Sequence, residues 1–228
     1  MGEVIRKQAS IEDIFADVRT TQERAAARGG VFQELAEQRL GPMLALVNGV
    51  EAQIMEAEAK AGPAVAALSA ENGKVDKLLG KVADDIWNAL GRPAVDPYLS
   101  LLFPGGIAPY TDGDVTTQPG RMDLLVSLLR SPLHPRLSAD VRVAAAEAVE
   151  AAAASLRVTV EQAMVARTQL DLLGRVRTAL ARAAQMELAN LKRLYKGHGL
   201  REVDIHEVIP ARSRASARKV ATEAAPVG

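Results

Sequence analysis

The chain has 228 residues, 48% of them apolar and 25% charged, with no net charge at pH 7, a balance that suits a globular protein and not a disordered one. It has no cysteine, which excludes disulfides, thiolate metal sites and cysteine nucleophiles. It has no run of eighteen apolar residues, which excludes a membrane-spanning helix.

Only seven residues are aromatic (one Trp, three Tyr, three Phe), and alanine carries much of the apolar content, in runs such as 144–146 and 151–154. Alanine loses no side-chain entropy in a helix, so these runs favour helix strongly. It also buries little area, so a stable core requires long helices with many small contacts. The first ten residues contain no apolar stretch of signal-peptide length, and the cytoplasm is the expected setting.

Residues 1–8 read as frayed. Ser10 is a suitable N-cap, followed by Glu12 and Asp13 in the first turn, where the helix dipole favours negative charge. Ile11, Ile14, Phe15 and Val18 then recur at helical spacing, and the pattern runs to about Arg28, where Gly29-Gly30 interrupts it. A second stripe follows through Phe32, Leu35, Leu40, Met43, Leu46, Val50 and Ile54. Gly41-Pro42 and Gly62-Pro63 punctuate this half, each as a helix boundary or a kink. From Val65 through Leu68, Asn72, Val75, Leu79, Val82, Ile86 and Ala89 the spacing alternates between three and four, as in a coiled-coil seam. Within it Asn72-Gly73 reads as a turn or kink.

Residues 92–120 carry five prolines and four glycines, which exclude a long helix. Three of the seven aromatics also lie here, and a flexible linker would not be so apolar. Tyr98, Leu101, Leu102, Phe103 and Tyr110 are therefore the candidate interaction residues. Leu101, Leu102 and Phe103 are expected to insert between helices or into a partner.

A short amphipathic helix is expected over 121–130, with Met122, Leu125, Val126 and Leu129 on one side. Ser138 then caps a helix that runs to about 196, with no proline and a single interior glycine, Gly174. One continuous helix is expected here, although a hairpin near Gly174 is the alternative. A heptad frame from Val149 to Leu194 has apolar residues at eleven of its fourteen positions. Residues 200–209 alternate enough, at Val203, Ile205 and Val208, for a short strand or an extended docking segment. From Pro210 the chain is rich in Ala, Ser, Arg and Lys and reads as a disordered basic tail.

The charge is unevenly spread. Residues 1–91 hold 10 basic and 14 acidic residues, whereas 175–219 hold 11 basic and 4 acidic. Arg212, Arg214, Arg218 and Lys219 are candidate phosphate contacts, with no aromatic among them for base stacking. His198 and His206, near Glu202, Asp204 and Glu207, match no metal-ligand spacing. Asp112-Gly-Asp114 falls short of a calcium loop and reads as a turn. No phosphate loop, nucleophile elbow or zinc-protease motif occurs.

The expected fold is therefore all-α. It is an elongated helical bundle with long coiled-coil-like helices in halves 10–91 and 121–197, joined by the irregular segment 92–120. Together these make one domain over 1–209, followed by the tail 210–228. The expected function is non-enzymatic: a self-associating scaffold, adaptor or assembly subunit that needs no cofactor, metal or small-molecule substrate. The alternatives are nucleic-acid or anionic-surface binding through 175–219, and a membrane-active role for 98–109.

Overall fold

The computed structural model describes residues 9–210. Among these residues there are seven helices and no strand, so the fold is all-α. The helices are α1 (Ile11–Arg28), α2 (Gly30–Ala89), α3 (Leu99–Leu102), α4 (Ala108–Thr111), α5 (Gln118–Arg130), α6 (Ala139–Gly197) and α7 (Glu202–Val208). Two compact units divide the described residues, one drawn from 9–56 and 171–210, the other from 57–170. Both boundaries fall inside the long helices α2 and α6.

In the first unit, the Ser10 hydroxyl caps α1 by accepting from the Asp13 N–H at 3.1 Å. The chain leaves α1 through Gly29 and Gly30 at φ values of 74° and 54°, a left-handed conformation that favours glycine. The core is built from Ile14, Phe15 and Val18 of α1, Leu40, Met43 and Val47 of α2, and Leu188, Leu191 and Tyr195 of α6. Tyr195 is fully buried, its ring 4.8 Å from that of Phe32, and its hydroxyl donates to the Phe32 carbonyl at 2.8 Å. Burial pushes the Tyr195 phenol up to about 12. Leu46, which the stripe placed inward, is exposed, and Val47 takes the core position. Two successive steps of three, from Leu40 through Met43 to Leu46, fall well short of two full turns, whereas Val47, seven residues from Leu40, lies nearly in line with it.

Residues 200–209 are neither a strand nor extended. Arg201 stands in extended backbone at the N-cap of α7, with Glu202 and Asp204 in its first turn. Ile205, Val208 and Ile209 enter the core while Val203 stays exposed, so the apolar set follows spacings of three and four and not of two. Arg28 of α1 clasps α7 through Asp204 at 2.6 Å and through Glu207. Glu202 binds Lys192 at 2.8 Å and Lys196 at 2.6 Å, which together hold its carboxyl down at about 2.

In the second unit, Val75, Leu79, Val82 and Ile86 of α2 pack with Met122, Leu125 and Leu129 of α5 and with Val149, Ala153 and Leu156 of α6. The ends of the α2 seam, Val65 and Ala89, are exposed. Neither Gly-Pro pair ends α2, which runs through both. Each proline removes one helical hydrogen bond, at a cost of about 3 kcal/mol. Pro42 and Pro63 are exposed, while Leu40 and Met43, and Ala61, are buried beside them. Burying a large apolar side chain contributes about 1.5–3 kcal/mol, enough for packing to hold the helix across the defect at Pro42. Asn72-Gly73 is likewise no turn. The Asn72 amide donates to Asp76 one turn on at 3.1 Å, and the fully buried Gln118 amide donates to the same carboxylate at 2.9 Å. The asparagine is thereby occupied within the helix and not by turn chemistry.

Candidate interaction surface

The middle segment is anchored by one carboxylate. The Asp96 side chain is fully buried, and its Oδ1 accepts from the backbone N–H groups of Tyr98 at 2.9 Å and Leu99 at 3.3 Å, which starts α3. Its Oδ2 receives the Arg136 guanidinium and lies 3.2 Å from His134 Nε2, whose N–H is not aimed closely enough for a hydrogen bond. Desolvation raises the Asp96 pKa, but the two backbone N–H groups and His134 outweigh it and hold the carboxyl below its usual range. His134 is buried with its ring against Tyr98, and its Nδ1 accepts from the Arg136 N–H at 3.3 Å. The group joins the loop before α3 to the loop before α6.

The five candidate interaction residues divide. Leu102, Phe103 and Tyr110 are core residues of their own unit. The Tyr110 hydroxyl donates to the Leu102 carbonyl at 2.7 Å, and the Phe103 and Tyr110 rings meet edge to face at 6.2 Å. Tyr98 and Leu101 remain partly exposed, at 42% and 52%. Leu102 and Phe103 thus insert among the helices of this chain, and Leu101 does not. The segment holds the short helices α3 and α4, and α5 begins at Gln118, three residues before the expected start. Arg212, Arg214, Arg218 and Lys219 lie outside the described residues.

The polar clusters serve local structure. Asp114 accepts from the Thr116 N–H at 2.9 Å, the Asx turn that its sequence suggests. His206 lies 3.1 Å from Glu202. Among the described residues no group of three or more His, Asp or Glu is placed to hold a metal ion. A shallow depression of about 570 Å³ in the first unit is lined by Arg39, Asn190, Arg193, Leu194, Gly197 and His198.

A surface that the sequence reading passed over lies on α6. All fourteen positions of the heptad frame from Val149 to Leu194 are buried or half-buried. The outward side also carries large apolar residues, with Val158 at 53%, Val165 at 63%, Leu172 at 57% and Met186 at 62% exposure. No protein-family model matches the chain, and no curated protein or solved structure is detectably similar to it. The α6 surface must therefore be interpreted from its own chemistry. Alongside its apolar residues stand Glu147 and Glu161 in the second unit, and Arg175, Arg182 and Arg193 in the first. All five are exposed, and none makes a hydrogen bond or ion pair among the described residues. The outward row was legible as a second 3–4 spacing on the same helix, but the stronger inward pattern hid it.

Proposed function

We propose that this protein is a non-enzymatic helical interaction subunit, a scaffold or adaptor of the cytoplasm, that docks a partner on the outward side of α6 in coiled-coil fashion. The observation that carries this reading is the row of half-exposed Val158, Val165, Leu172 and Met186 at seven-residue steps or multiples of them. Scattered exposed apolar residues are ordinary, but a heptad row along one helix is the pattern by which helices recognise helices. A nucleic-acid reading draws on the unpaired Arg175, Arg182 and Arg193, yet a phosphate backbone gains nothing from the leucine, valine and methionine between them. No helix among the described residues is long and apolar enough to cross a membrane.

The test is the pair of substitutions Val165→Ser and Leu172→Ser. Both positions face outward, so the thermal transition should stay close to wild type while binding of the protein's partner, whether another protein or itself, is lost. Undiminished binding by the doubly substituted protein would overturn the reading.

A further inference from the structure

We infer that the partner is a second copy of this chain, with the run 172–193 of one copy packed on the run 144–165 of the other; the inference rests on the interaction reading above. From 144 to 165, positions at alternating steps of three and four carry Glu147, Val158, Glu161 and Val165 among alanines, all exposed. The same frame from 172 onward carries Leu172, Arg175, Ala179, Arg182, Met186 and, further on, Arg193, again all exposed.

The two runs are opposite in charge. Residues 143–166 contain three glutamates and one basic residue, Arg157, which is engaged by Asp123 at 2.7 Å. One of the glutamates, Glu150, is engaged by Arg130 at 2.6 Å. Residues 172–193 contain five basic residues and one acid, Glu187, which lies 3.8 Å from Arg39. The free charges are thus Glu147 and Glu161 on one run, and Arg175, Arg182 and Arg193 on the other.

The spacing fits a parallel pair. With Glu147 opposite Arg175, Ala154 meets Arg182 and Val158 meets Met186. The remaining glutamate then falls opposite residue 189, about one turn from Arg193. Like runs repel, so a basic run meeting a basic run is disfavoured, and each copy carries the complement that the other needs. The apolar residues supply burial, and the charges set within the same row choose the partner, as polar residues inside a coiled-coil seam do.

The experiment uses the full chain in sedimentation velocity over a range of concentrations. Wild type should associate. Glu147→Arg with Glu161→Arg, and separately Arg175→Glu with Arg182→Glu, should each weaken association by roughly a hundredfold or more. All four side chains are exposed and unpaired, so the thermal transition should be unmoved in both. Mixing the two charge-reversed proteins should restore association, because a helix whose free charges are all basic then meets one whose free charges, Arg193 apart, are all acidic. A wild-type monomer at the highest soluble concentration, wild-type association by either reversed protein, or no rescue in the mixture would each overturn the inference. If wild type is a monomer but Val165→Ser with Leu172→Ser still abolishes binding to a different protein, self-pairing fails and the interaction reading stands. If that pair abolishes nothing, both fail.

Discussion

At the scale of single residues, burial decides what a side chain does, and it can divide near neighbours. Leu101 and Phe103 belong to one apolar run, yet Phe103 is 7% exposed and Leu101 is 52% exposed. Phe103→Ala should destabilise the monomer by about 3–5 kcal/mol, through lost burial and the cavity left against Tyr110. Urea unfolding measures this, and self-association should be unaffected once the protein is folded. Glu202 provides a pH signature. Its carboxyl sits at about 2 when folded, against an ordinary 4.5, so the native state favours the ionised form. Its stabilising contribution is complete above about pH 4.5, declines as the pH falls, and is gone below about 2. The difference in urea midpoint between wild type and Glu202→Gln should therefore shrink across that interval. A constant difference would mean that Lys192 and Lys196 do not hold the carboxylate.

At the scale of elements, tertiary packing overrode several local signals. Pro42, Pro63 and Asn72-Gly73 each read as a boundary or turn, or else a kink, and α2 ends at none of them; at Pro42 the buried Leu40 and Met43 outweigh the lost hydrogen bond. Gly174 is the corresponding position in α6. It lies inside the helix, its carbonyl accepts from the Thr178 hydroxyl at 2.9 Å, and a Cβ added there would meet nothing within 4 Å. Gly174→Ala should therefore raise stability by about 0.5–1 kcal/mol, by reducing the freedom of the unfolded chain. A loss of stability would point to a turn at this position. In α7 the error ran the other way. Val203 and Ile205 suggest alternation, but Ile205 and Val208 lie about one helical turn apart on α7, with Ile209 in extended backbone just beyond it, and only the core they enter shows which pattern governs.

For the whole molecule, the absence of net charge means that no overall repulsion opposes self-association. Pairing between exposed charges is open to screening, because the Debye length falls from about 10 Å at 0.1 M salt to about 3 Å at 1 M. Association should weaken severalfold over that range without vanishing, since burial of Val165 and Leu172 does not depend on salt in this way. Sedimentation at both ionic strengths checks this, and salt-independent association would leave Glu147 and Arg175 without a role. The sequence by itself determined the helical class, the capped start of α1 and the inward heptad frame of α6, while the structure decided that α6 runs unbroken through Gly174. Each of the first three depends on propensity and periodicity along one helix, which are local properties. Tertiary structure alone decided that Leu102, Phe103 and Tyr110 are core residues, that Asp96 anchors the middle segment, and that α2 survives its prolines. It also decided which of the two heptad rows on α6 is covered. A helix of alanine and scattered large residues offers several faces of similar apolarity, and the choice between them depends on which neighbouring helix reaches it first with larger side chains.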